Sequence, residues 1–244
     1  MSESYGIKAY WGRRPESAEE CARRAETFFH LLAECHPSYA RWYEKNNSTR
    51  KSLQLGFEPT RDTFVEFFGR KKYQSGNDGF NFGAWTGHVE QDQGGMVMLR
   101  CGSKAEVAPN FLWLFFPEEA LGHERMLSAS VLASVMRALA VAWEPEWALA
   151  TGDGLWDQLS GGSRLGCFLG WMTYFSRERG EVPALPAPVC VEPVGDKGTL
   201  VTLTLERLTS SNPEHMALAW RIQKLLEERG LFRLMVHPAA MRQE

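Results

Sequence analysis

Three apolar runs follow one another between Phe80 and Phe116: FNFGAWTGHVE, GGMVMLRCG and NFLWLFF. The separators are short and rich in Gly, Asp and Pro, residues that interrupt regular structure. Parallel strands need a crossover of a dozen or more residues, usually a helix, whereas antiparallel neighbours are joined directly by turns. No helix-length segment lies between these runs, so the pattern predicts an antiparallel meander and argues against a doubly wound parallel sheet.

Helical periodicity brackets the meander. YGIKAYW (Tyr5–Trp11) alternates with strand period and is predicted as the first strand. Ser17 and Glu20 have the spacing of a capping box, and Ala22, Ala25, Phe28, Phe29 and Leu32 then recur at helical spacing until Pro37 stops the run. Short helices are predicted over Ser38–Lys45 and Thr60–Arg70, the second with Phe64, Phe67 and Phe68 on one face. A longer helix is predicted over Ser130–Trp143, with Val131, Val135, Ala138, Leu139 and Ala142 as its apolar stripe. Strands are predicted at Phe168–Phe175, Val189–Val194 and Leu200–Leu205. A last helix has Asn212 as cap, Pro213 at its first position and Gly230 just past its end, with Leu218, Ile222, Leu225 and Leu226 facing inward. Mixed elements without crossover helices give an α+β class: a mostly antiparallel sheet with helices packed on it, residues 1–244 forming a single domain.

The chain has 244 residues, enough to bury a sizeable core, and its nine Trp and fourteen Phe suit a bulky one. The opening MSESYGIKAYWGRRPES has no basic stretch followed by an apolar run, and no apolar segment is long enough to cross a bilayer. Five scattered Cys without a C-x-x-C predict reduced thiols in a cytoplasmic chain. Net charge is only −3, yet residues 76–160 carry 4 Lys+Arg against 11 Asp+Glu. Such an excess repels phosphate, so direct nucleic-acid binding is not expected there, and a basic partner is favoured.

Motifs of catalysis are missing. There is no GxGxxG, Walker-type loop or HExxH, and the six His show no metal-ligand spacing, so no cofactor or metal is expected. Gly161–Gly166 has Leu165 where a nucleophile elbow needs glycine. AWEPEWALA (Ala142–Ala150) packs two Trp and two Glu into five residues. If that stretch is extended, Glu144 and Glu146 project side by side about 7 Å apart. Paired carboxylates can divide acid and base work, but no third catalytic group accompanies them. The pair reads as a solvated acidic face, opposite Trp143 and Trp147, which turn to the core together.

Several of these segments, taken in order, resemble the immunity protein 52 family of bacterial polymorphic-toxin and type VI secretion systems. They are AYWGRRPESAEECARR with the later HPSYARWYEK, then GFNFGAWTG, WEPEWA and GWMTYFS. The resemblance implies a non-enzymatic α+β protein that binds and neutralises a cognate toxin encoded beside it, typically a nuclease of restriction-endonuclease-like fold. It supplies no catalytic residues. The expected contacts are Glu144, Glu146, Asp153, Trp156 and Asp157, with Glu90 and Asp92 as outliers, because carboxylates crowd around an aromatic there. Two other classes stay open: a small hydrolase using Glu144 and Glu146, and an adaptor that loads the toxin for export. A homo-oligomer stays open too, given the number of Trp.

Overall fold

The computed structural model describes residues 3–46, 48–87, 95–106, 109–116, 126–161 and 167–234. The first half contains β1 (Tyr5–Trp11), α1 (Ala18–Cys35), β2 (Trp42–Glu44), α2 (Thr49–Ser52), β3 (Gly56–Phe57), α3 (Arg61–Gly69), β4 (Phe80–Trp85), β5 (Met96–Cys101) and β6 (Asn110–Phe115). Then come α4 (Ala129–Trp143), β7 (Trp147–Gly152), α5 (Asp153–Leu159), β8 (Met172–Ser176), β9 (Cys190–Val194), β10 (Gly198–Thr202) and α6 (Pro213–Glu227). The strands form one ten-stranded sheet in the order β3-β2-β4-β5-β6-β1-β7-β8-β10-β9, antiparallel at every junction. This is the α+β arrangement the turn-separated runs predict. The first strand lies between the meander and β7, so the two halves of the chain share it.

Alternation in β1 sends Tyr5, Ile7, Ala9 and Trp11 to one face and Lys8 and Tyr10 to the other. The first face carries α1, α3 and α4. Ser17 and Glu20 form the expected capping box on α1, each bonding the other's backbone amide (2.8 and 3.2 Å), and all five residues of the apolar stripe are buried. Phe29 of α1 meets Trp42 edge-on at 4.8 Å, and Phe64 and Phe67 of α3 pack on Phe82 of β4. Trp143 of α4 stacks on Trp11 at 5.5 Å. Each large side chain buried this way contributes about 2 kcal/mol. The second face is covered beside β7 by α5, the segment 167–169 and α6: Phe168 touches both Trp147 and Trp156, while Gln223 bonds the backbone at Leu159 and Leu169. Consequently every residue of β7 is buried.

Three expectations are corrected. The segment predicted as a helix over Ser38–Lys45 is a single 3-10 turn (Pro37–Tyr39) followed by β2. Trp42 is buried with its indole N–H on the Tyr39 carbonyl, and pairing with β4 and β3 fixes the extended backbone. The strand expected from Phe168 starts at Met172. Finally, Trp143–Ala150 is not one extended stretch. Helix α4 ends at Glu144 in a left-handed conformation (φ 46°), and β7 begins only at Trp147. Trp143 and Trp147 therefore lie on opposite faces, the first against Trp11 and the second stacked on Tyr10 at 5.5 Å.

Candidate partner-binding site

A helix C-terminus leaves its last carbonyls without intrahelical partners. At the end of α4 two arginines supply them. Arg14 Nη1 donates to the Trp143 carbonyl (2.8 Å), and Arg24 Nη1 to the Ala142 carbonyl (3.0 Å) and to Glu144 Oε2 (3.0 Å). Glu16 holds both guanidinium groups, at 3.1 and 2.7 Å, and Lys197 donates to the other oxygen of Glu144. The Lys197 bond, joined by Arg24, keeps the Glu144 carboxyl below the usual carboxylate range despite partial burial. Glu146 accepts the Gly12 amide at 2.8 Å on one oxygen, while its other lies 3.5 Å from Arg179 Nη2, whose side chain is fully buried.

A cleft of about 490 Å³ opens at this corner, bordered by Trp11, Arg14, Glu144, Glu146, Tyr174 and Lys197. Its charges neutralise one another. The reading of Glu144 and Glu146 as a solvated acidic face is corrected: they brace the corner between α4, β1, β7 and the turn before β10. Sequence spacing hides this, because the partners Arg24, Lys197 and Arg179 are remote along the chain.

Asp153, Trp156 and Asp157 stay together on α5, at the other end of β7, about 20 Å from Glu146 by strand rise. Both aspartates are exposed, and Trp156 is half-buried. Lys8 places its ammonium 3.6 Å over the Trp156 ring. Burial lowers the Lys8 pKa, and Asp153 and Asp157 oppose that shift. Glu90 and Asp92 lie outside the described residues. The structure thus separates the expected contacts into a braced corner and an acidic, aromatic ridge. Among the described residues no group of three or more His, Cys, Asp or Glu could hold a metal ion, and no helix is long and apolar enough to cross a membrane.

A third surface carries none of the contacts expected from the sequence. In β5 and β6 the outward positions are Met96, Met98, Arg100, Phe111, Trp113 and Phe115, all half-buried. The signal was present: in NFLWLFF both alternating sets are apolar, whereas a strand with one wet face should alternate with polar residues.

The family model for immunity protein 52 matches residues 3–235. The chain belongs to the immunity protein 52 family. The braced corner, the capping box and the aromatic β1 all fall inside that match. Among solved structures, the T6SS protein PA0821 of Pseudomonas aeruginosa is similar, with a TM-score of 0.54 and 14% identity over 91% of this chain and 76% of that one. At that identity the likeness is one of fold. No curated protein matches the chain.

Proposed function

We propose that this chain protects its own cell by binding a toxin of a type VI secretion system and blocking it without catalysis. The toxin, in this reading, is a nuclease of restriction-endonuclease-like fold acting in the cytosol. The observation that carries the reading is family membership across nearly the whole chain. The fold shared with a T6SS protein supports the delivery system. Acidity supports the nuclease: a phosphate-holding active site is basic, and the exposed Asp153 and Asp157 complement such a surface. Two cations grip Glu144, and Glu146 is engaged by the Gly12 amide and Arg179, an arrangement suited to bracing and poorly suited to turnover.

Co-expression with the toxin encoded beside it is the test. Cells carrying both are expected to grow with intact nucleic acid, and cells carrying the toxin alone to die with theirs degraded. Death in both cases refutes neutralisation, and protection with no nucleic acid degraded by the toxin alone refutes the nuclease assignment.

A further inference from the structure

An antiparallel sheet whose second face is left open normally turns polar side chains outward. Strands β4, β5 and β6 turn mostly apolar ones outward, with Asn81 and Arg100 as the polar members. Their inward residues, such as Ala84, Leu99 and Leu112, are buried beneath the helices. Outward stand Trp85, Met96, Met98, Phe111, Trp113 and Phe115, all half-buried, so each keeps part of its surface in water. Phe111 stacks on Trp113 at 4.6 Å, and Tyr10 of β1 meets Trp113 edge-on at 6.3 Å. The rings thus hold one another in a fixed platform, and contact with a partner would order little that is not already ordered. Four strands at about 4.8 Å spacing and about 15 Å of strand length give on the order of 300 Å². A footprint of that size suits the centre of a standard interface of about 800 Å² per partner.

The charges on the platform are uneven. Arg100 lies 5.3 Å over the Phe111 ring and bonds Asn81 Oδ1, while the Lys45 ammonium rests on the Met96 sulfur at 2.9 Å. Among the described residues neither cation has a carboxylate within ion-pair distance. At the opposite border Asp153 and Asp157 of α5 stand beside Lys8. Aromatic residues, Met and Arg are the types enriched at interface centres.

We propose that this platform is the centre of the toxin-binding interface. Its occupant is a toxin surface with an apolar knob over Met98 and Trp113, a carboxylate facing Arg100 and Lys45, and a cation facing Asp153 and Asp157. The proposal rests on the reading that the chain binds a toxin. A single nucleic-acid strand would find rings to stack on, but among the described residues the cations at this face are few and a border of carboxylates repels phosphate.

Calorimetric titration with a catalytically inactivated form of the toxin encoded beside the gene tests both levels. Trp113→Ala and Met98→Glu are expected to weaken binding by about 30-fold or more, the loss typical of a central anchor. Val141→Glu, at an exposed position of α4, is expected to bind like the unaltered chain. Unchanged affinity in both folded platform variants overturns this surface and leaves neutralisation standing. Absence of binding by the unaltered chain overturns neutralisation itself. If a variant fails to fold, oxidative footprinting of the unaltered chain decides: Met96, Met98 and Trp113 lose reactivity in the complex, and retained reactivity overturns the proposal. The same protection produced by concentrating the chain alone, or by a single-stranded oligonucleotide, assigns the platform to a second copy or to nucleic acid and overturns it equally.

Discussion

Glu44 ends β2 with its side chain only 5% exposed, and three donors converge on it. Lys72 and the Tyr73 hydroxyl reach one oxygen, and Arg70 reaches the other at 2.9 Å. Glu44→Gln keeps the volume, removes the charge and turns an NH₂ toward a cation. Breaking a fully buried ion pair costs about 3–5 kcal/mol. Arg70 and Lys72 are 37% and 54% exposed, so water recovers much of that loss, and the expected cost is about 2 kcal/mol. For a chain of this size that lowers Tm by about 4–8 °C. The pH dependence follows from the direction of the shift. Burial raises the Glu44 carboxyl, but Lys72, Tyr73 and Arg70 outweigh it and leave the group below its ordinary 4.5. A depressed carboxyl stabilises above its unfolded value, and the benefit disappears as pH falls through the folded one. Melting curves of both proteins should therefore differ fully near neutral pH and converge below 4.5. Equal melting at neutral pH, or a difference that grows in acid, refutes the reasoning.

Other perturbations separate bracing from binding. Glu146→Ala leaves the fully buried Arg179 guanidinium without its only opposing carboxylate among the described residues and should cost about 3 kcal/mol in urea unfolding. Glu144→Ala should cost less than about 1 kcal/mol, because Lys197 is partly exposed and Arg24 keeps its bonds to Glu16 and the Ala142 carbonyl. Gly79→Ala places a Cβ 2.2 Å from the Cys101 carbonyl oxygen at a residue with φ of 75°, and a loss above about 3 kcal/mol is expected from the same measurement. Trp113→Ala should cost about 2 kcal/mol, less than a fully buried Trp, since the ring packs on Tyr10, Phe111 and Phe115 but keeps one part in water, whatever it does to toxin binding.

Elements with local signals were legible. The alternation of YGIKAYW, the Ser17–Glu20 capping box, the Phe64–Phe67–Phe68 face and the Asn212 cap each specify structure through neighbours a few residues away, and each is found in the fold. What the sequence hid depends on distant partners. Strand β2 is three residues long and exists because Trp85 and Phe57 pair with it. Glu144 and Glu146 look like a free acidic pair until Arg24, Lys197 and Arg179 arrive from other parts of the chain. Reversing their charges would consequently damage the corner, and a loss of toxin binding in that double variant would say little about the interface. The platform on β5 and β6 lies between these cases: its double apolar alternation is visible in NFLWLFF, but only the folded sheet shows that one set is buried and the other only half-buried.

Neutralisation by binding implies a fixed stoichiometry, and titrating the purified chain into an activity assay of the purified toxin, a nuclease in the proposed reading, tests it most directly. Activity is expected to fall in proportion to added chain, reach zero at a fixed molar ratio, and not depend on how long the two were mixed. Undiminished activity at excess chain, or complete loss at a small fraction of the toxin concentration that deepens with time, would contradict it.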